Sequence, residues 1–257
     1  MITNKQSQGK KGTIVAILSG TKSEVIIPFL QQIPLRKRKK VTEITLDLAG
    51  NMGLIAKSCF PNAVQVIDRF HVQQLASEAL QEIRIKHRWQ AIDDENQAIE
   101  QARKKKETYY PEVLANSDTV KQLLARSRYL LYKSEYKWTC EQKERAKLLF
   151  ERYSDIEKAY RLSQELSWIF NTSIDKLYGT TRLAKWVNKV EQSGFKSFNT
   201  VSRTINIHHK KILNYFDNKS TNASAESFNA KIKAFRSQFR GVADINFFLF
   251  RLTKLFA

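Results

Sequence analysis

The pattern of apolar and polar residues changes period once along this 257-residue chain. Up to about residue 68 it is strand-like with short helical interruptions. The run Thr13-Ile14-Val15-Ala16-Ile17-Leu18 predicts a strand ending at Ser19-Gly20, and an amphipathic segment over 23–32 predicts a helix that stops near Pro34. Over 41–48, Ile44, Leu46 and Leu48 alternate with Glu43, Thr45 and Asp47, as in a half-buried strand. Residues 50–59 read as a short helix ended by Pro61, and Ala63-Val64-Gln65-Val66-Ile67-Asp68 as a second, buried strand. This makes 41–68 a βαβ unit with parallel strands and a right-handed crossover.

From Phe70 onward the period is helical. Val72, Leu75, Ala79, Leu80 and Ile83 recur at helical spacing, and a charged continuation runs to about Lys106 before Tyr109-Tyr110-Pro111 breaks it. Further helices are expected around Leu123-Leu124 and Tyr129-Leu130-Leu131, over 146–160, over 162–170 and within 180–216. The turn Asp217-Asn218-Lys219-Ser220 then introduces a last helical region. The chain therefore reads as α/β in three parts: a first core segment, 1–69; an all-helical segment, 70–216; and a second core segment, 217–257.

The stretch Asn222-Ala223-Ser224-Ala225-Glu226-Ser227-Phe228-Asn229-Ala230-Lys231-Ile232-Lys233 splits into two faces when wound as a helix. At about 100° per residue, Glu226, Asn229, Lys233, Arg236 and Arg240 share one stripe, while Phe228, Ile232, Phe235 and Phe239 lie opposite. A lone carboxylate among basic side chains suits a cation held beside a phosphate backbone. A solvated helix face is the plainer account of the same pattern.

Charge makes the phosphate reading stronger. Lys and Arg number 44 against 25 Asp and Glu, a net charge of +19, so polyanions are the expected partners. Only Cys59 and Cys140 occur, without Cys-x-x-Cys spacing, which leaves neither a disulfide framework nor a zinc ribbon and fits a reducing cytoplasm. No apolar run approaches the ~18 residues of a membrane span, and Met1-Ile2-Thr3-Asn4-Lys5-Gln6 is no signal peptide, so no membrane association is expected.

Four smaller features bear on the chemistry. Asp47 ends a parallel strand, where open α/β sheets bind ligands, although an Asp there also caps the following helix. Asp68 and His71, three residues apart, face the same way on an incipient helix; a supporting role is the simpler reading than direct metal ligation. His87, His208 and His209 read as surface contacts. Gly9-Lys10-Lys11-Gly12-Thr13 lacks the order of a phosphate-binding loop and precedes its strand instead of following it.

Asp47 with Ala49-Gly50-Asn51-Met52, then Cys59-Phe60-Pro61-Asn62-Ala63, then Val66-Ile67-Asp68-Arg69-Phe70-His71-Val72, and finally the Asn222–Lys233 stretch, together resemble the catalytic domain of the ISL-three family of bacterial insertion-sequence transposases. The resemblance covers essentially the whole chain. It implies a ribonuclease-H-like core with a large all-helical insertion, and an Asp-Asp-Glu triad in which Asp47 is the second acid and Glu226 the third. The Asp47 strand is then expected centrally in a mixed sheet, with the Glu226 helix packed against it. Two Mg2+ ions, or Mn2+, would be held by Asp47 and Glu226, with Asp68, His71 and Asn229 supporting them and Lys233, Arg236 and Arg240 on the DNA. The implied partners are the element ends, target DNA and further copies of the chain.

One feature of that pattern is missing. The family's first Asp lies on the first core strand, yet the only acids before Asp47 are Glu24, in the helix after the Ser-Gly turn, and Glu43, on the Asp47 strand itself. The chain is thus expected to be the carboxy-terminal part of a transposase, without the first core strand and its acid. Rival readings are an inactive remnant that binds DNA or interferes with full-length transposase, and a basic helical RNA-binding protein.

Overall fold

The computed structural model describes residues 2–7, 13–18, 20–238 and 244–256. Its contacts divide the chain into two units, 1–68 with 218–257 and 69–217. Arg240 and Phe239 of the predicted stripes, and the discounted Gly9–Gly12 segment, lie outside the described residues.

In the first unit, β1 (Ile2–Thr3) pairs antiparallel with β2 (Ile14–Ala16), and α1 (Ser23–Gln31) and the short α2 (Leu35–Arg38) follow. Then come β3 (Glu43–Leu46), α3 (Gly50–Cys59) and β4 (Val64–Ile67), the expected βαβ unit. β3 and β4 are parallel and in register from Glu43 beside Val64 to Leu46 beside Ile67. α1 and α3 pack through Ile26, Leu30, Ile55 and Cys59, all buried, with Met52 and Phe60 against them. The basic run at 36–40 is partly structural: Arg38 donates to the Ile33 carbonyl at 2.8 Å and to the Cys59 carbonyl at 2.7 Å, closing the C-terminal end of α3.

The sheet differs from expectation. Among the described residues the strands form two separate two-stranded sheets, so the Asp47 strand is not central: β3 pairs with β4 on one side only. Burial agrees, because all four β3 residues are half-buried while Val66 and Ile67 of β4 are 0% and 2% exposed. β2 pairs with β1, and the Asn4 N–H extends that ladder to the Thr13 carbonyl at 2.8 Å.

The second unit is helical. α4 (Arg69–Lys105) runs 37 residues and ends at Lys106, whose φ of 57° turns the chain before Tyr109. After it come α5 (Val120–Arg126), α6 (Cys140–Arg152), α7 (Ser154–Thr172), α8 (Lys176–Ser193), α9 (Lys196–Ile207) and α10 (His209–Leu213). α11 (Tyr215–Asn218) carries the chain back to the first unit, where α12 (Ala223–Gln238) and α13 (Ile245–Phe256) end it.

The single helix expected over 146–160 is broken at Tyr153, whose backbone (φ −132°, ψ 80°) leaves the helical region. No Gly or Pro marks this break. Tyr153 instead packs on the His87 ring with centroids 4.6 Å apart, and Asp155 meets His87 Nε2 at 2.6 Å. His87 is therefore a half-buried strut between helices, not the surface contact expected.

Several buried polar groups of the helical core are paired, which offsets the cost of taking them out of water. Trp186 Nε1 donates to the Leu162 carbonyl and Tyr160 Oη to the Lys133 carbonyl, each at 2.8 Å. Asp118, 0% exposed, takes charged hydrogen bonds from Arg126 and, at 2.9 Å, from Arg145.

Candidate active site

The first unit is the more polarised of the two. It carries 17 of the 44 basic residues but six acids: Glu24, Glu43, Asp47, Asp68, Glu226 and Asp244. Acids are scarce there, so where they sit is informative.

Asp47 and Asp68 are the residues immediately after β3 and β4. Because the strands are parallel and in register, the two acids leave the same edge of the sheet side by side, and the Asp68 N–H continues the ladder to the Leu46 carbonyl at 3.0 Å. That is the carboxyl end of the strands, where open α/β sheets place their ligands. Asp47 is half-buried, and its Oδ1 accepts the Ala49 N–H at 3.0 Å. It shapes the turn into α3 rather than capping the helix, whose N-cap is Ala49.

Asp68 is 1% exposed, and its Oδ2 accepts the Asn222 N–H at 2.5 Å. Asn222 directly precedes α12, and its carbonyl accepts the Glu226 N–H at 2.9 Å in the first turn of that helix. A carboxylate at a helix start is favoured both by the free N–H groups and by the helix dipole. A chain of two hydrogen bonds thus runs from the end of β4 to the backbone of Glu226. Next to it, Lys5 Nζ donates to Ser220 Oγ at 2.9 Å, and Ser220 is buried.

Glu226 is exposed in the first turn of α12, with no ion pair among the described residues. Asn229, Lys233 and Arg236 are exposed along the same helix, and Phe228, Ile232 and Phe235 are half-buried, as the two-faced pattern requires. Phe235 meets Phe248 of α13 with ring centroids 5.7 Å apart, and the Arg236 guanidinium lies 5.2 Å over the same Phe248 ring. Arg236 is therefore partly held, whereas Lys233 is exposed, with no ion pair or ring contact among the described residues. His71, half-buried near the start of α4, packs its ring edge-on against Phe70 at 5.7 Å.

The other early acids lie elsewhere. Glu43 begins β3, at the end opposite Asp47, and accepts from Asn218 Nδ2 at 2.8 Å. Glu24 is exposed at the start of α1; its own backbone N–H and the Ser23 hydroxyl hold its carboxyl below the usual value.

Carboxylate oxygens are the donors that a hard cation such as Mg2+ prefers, so the chemistry of Asp47 and Glu226 fits the ion. Among the described residues, however, no group of three or more His, Cys, Asp or Glu is assembled to hold a metal. The donors present fit a partial site.

A cleft of about 270 Å3 in the helical unit is a poorer candidate. Its polar groups are already engaged with one another: Arg152 binds Glu112 through two bonds of 2.8 Å, Lys121 pairs with Glu95, and His87 Nε2 is hydrogen-bonded to Asp155. No helix among the described residues is long and apolar enough to cross a membrane.

What the sequence reading missed is the Asp68–Asn222 bond. The two residues are 154 apart, and the signals were local ones: an acid just after a buried strand, and an Asn just before a helix. The family model for ISL-three transposases of the Asp-Asp-Glu type, described as Transposase, matches residues 1–252. No curated protein and no solved structure matches the chain.

Proposed function

The chain belongs to the ISL-three family of transposases, and on that footing we propose that it is the catalytic-domain portion of a DNA transposase, acting at the edge formed by Asp47, Asp68 and the first turn of α12. The reaction is phosphodiester hydrolysis at the ends of an insertion sequence, followed by attack of the freed 3′-hydroxyl on target DNA. The single observation that carries the assignment is the hydrogen-bonded path from Asp68 through Asn222 to Glu226, which ties the Glu226 helix to the strand beside Asp47.

Asp47 and Glu226 are the metal-holding acids in this reading. Mg2+ bound there supplies activation of the attacking oxygen and charge compensation at the leaving one. Asp47 has one oxygen oriented by the Ala49 N–H and the other left for that purpose. Asp68 acts through position: it anchors the helix that presents Glu226. Asn229, one turn beyond Glu226, and His71 support the site, and Lys233 and Arg236 meet DNA phosphates. Residues 69–217 serve as the helical insertion, and the active assembly contains more than one copy of the chain.

Two acids alone make an incomplete centre. Glu43 is at the wrong end of β3, Glu24 opens a helix and Asp244 caps α13 through the Phe247 N–H at 3.1 Å. Full activity therefore requires a third carboxylate beside Asp47 and Glu226. An inactive DNA-binding remnant is the second reading, and that same shortage of acids favours it.

The test is nicking of a labelled DNA duplex carrying an element end, with Mg2+ or Mn2+. The 257-residue chain is expected to nick little or not at all, and a protein extended at its amino terminus by a strand bearing a third acid to nick strongly. Asp47→Ala or Glu226→Ala in the extended protein should abolish nicking while leaving DNA affinity in place. Strong nicking by the extended protein that survives Glu226→Ala would refute the site.

A further inference from the structure

The corner between α7 and α8 carries an arrangement that the acidic edge does not use. Trp168, in the last turns of α7, is 50% exposed; Ile174, in the connection, is 81% exposed, and Leu177 and Tyr178, at the start of α8, are 75% and 53% exposed. Between the two rings lies Arg182. Its guanidinium is 4.4 Å from the Trp168 ring centroid and 5.8 Å from that of Tyr178. Nη1 is steered by hydrogen bonds to Thr172 Oγ1 at 3.1 Å and Ser173 Oγ at 3.3 Å. These hydroxyls orient the cation without neutralising it, and Arg182 has no carboxylate partner among the described residues.

The helices beneath are well anchored. Gly179, Leu183, Trp186, Val187 and Val190 form the buried side of α8, so Tyr178, Arg182 and Lys185 stand on its outer stripe. The neighbouring acids are already engaged. Asp175 caps α8 through the Tyr178 N–H at 2.9 Å, and Glu165 binds Lys189 at 2.5 Å. Exposed aromatic faces therefore alternate with unneutralised cations on a rigid support.

We propose that Trp168, Tyr178 and Arg182 form a stacking platform for single-stranded DNA, separate from the acidic edge. The proposal rests on the reading that this chain acts on DNA. Unpaired bases offer faces to the indole and phenol rings, and the phosphates between them meet Arg182 and Lys185. In a duplex those base faces are covered by their neighbours, so the platform selects unpaired strand, whereas Lys233 and Arg236 respond to backbone charge in either form. Strand nicking and transfer expose such unpaired segments.

The test uses the full chain with two fluorescein-labelled probes, a thymidine oligonucleotide of about 20 nucleotides, longer than the ~4–16 of a typical binding groove, and a duplex of equal length. Affinities come from anisotropy. Trp168→Ala is expected to weaken single-strand binding roughly 5- to 150-fold, the range for loss of one stacked base, with duplex affinity unchanged. Trp168→Phe should restore most of it. Circular dichroism and sedimentation of each variant check fold and oligomeric state.

Equal losses on both probes, or no loss on either, would overturn the platform while leaving DNA binding intact. Unchanged single-strand affinity with an altered sedimentation coefficient in Trp168→Ala would reassign the patch to contact between protein copies. A wild-type chain that binds neither probe would instead defeat the DNA reading on which the proposal stands.

Discussion

Asn222 donates its backbone N–H to the buried carboxylate of Asp68 at 2.5 Å, so the helix bearing Glu226 begins on the end of the strand next to the Asp47 strand. The bond joins residues far apart in sequence with one oxygen atom. It also explains why an acid that the sequence reading kept as a supporting residue is the most buried acid of its unit.

Replacing Asp68 therefore tests positioning. Asp68→Ala leaves the Asn222 N–H without its partner and removes a charged acceptor, which costs about 1–3 kcal/mol. Chemical denaturation should show that loss, and amide exchange should accelerate in the first turn of α12. Unchanged protection of the Glu226 N–H would show that the helix start is held by something else.

DNA affinity should fall steeply with salt. Each phosphate contact released contributes close to one unit of slope in log K against log salt. Lys233→Ala should lower the slope by about one for any DNA sequence, and Arg236→Ala by less, because its guanidinium is partly committed to the Phe248 ring. A titration from ~50 to ~200 mM salt measures both. Discrimination of one short sequence by more than about 1000-fold would mean that base readout, not backbone charge, dominates.

Acid should weaken the helical unit through Asp118. Burial raises the pKa of this carboxyl, but hydrogen bonds and charge from Arg145 and Arg126 outweigh burial and hold it below its ordinary value. A carboxyl depressed in the folded state stabilises the fold above its unfolded pKa, about 3.9, and that stabilisation is lost as pH falls through the folded pKa. Asp118→Asn should thus cost about 2–3 kcal/mol at pH 7, less than the ~3–5 of a fully buried pair because Arg126 is 55% exposed and rehydrates. The difference between mutant and wild type should shrink as pH falls below the unfolded pKa and through the lower folded one. A difference that stays constant on acidification would show that packing, not ionisation, is the cause.

Gly179 makes the close approach in the helical core. A Cβ there would lie 2.5 Å from the Phe216 ring, which stacks on Phe170 with centroids 5.6 Å apart. Alanine normally favours a helix by about 1 kcal/mol over glycine. Here the clash should reverse the sign, and Gly179→Ala should destabilise by about 1–2 kcal/mol because overpacking costs about 1–3. Thermal unfolding reads the sign directly.

Sequence alone determined what depends on neighbours in the chain. The βαβ order around Asp47, the long helix after Asp68, the two faces of the Glu226 helix and the family itself all follow from local period and short motifs, and they reappear with small shifts in boundary. Tertiary structure decided what depends on distant partners. Tyr153 leaves the helix where it packs on His87, β3 pairs with β4 on one side only among the described residues, and Asp68 turns inward to accept the Asn222 N–H. Trp168 and Arg182, on separate helices, become one surface only when α7 and α8 pack. Burial and pairing at long range carry no period, so these outcomes had to come from the folded chain.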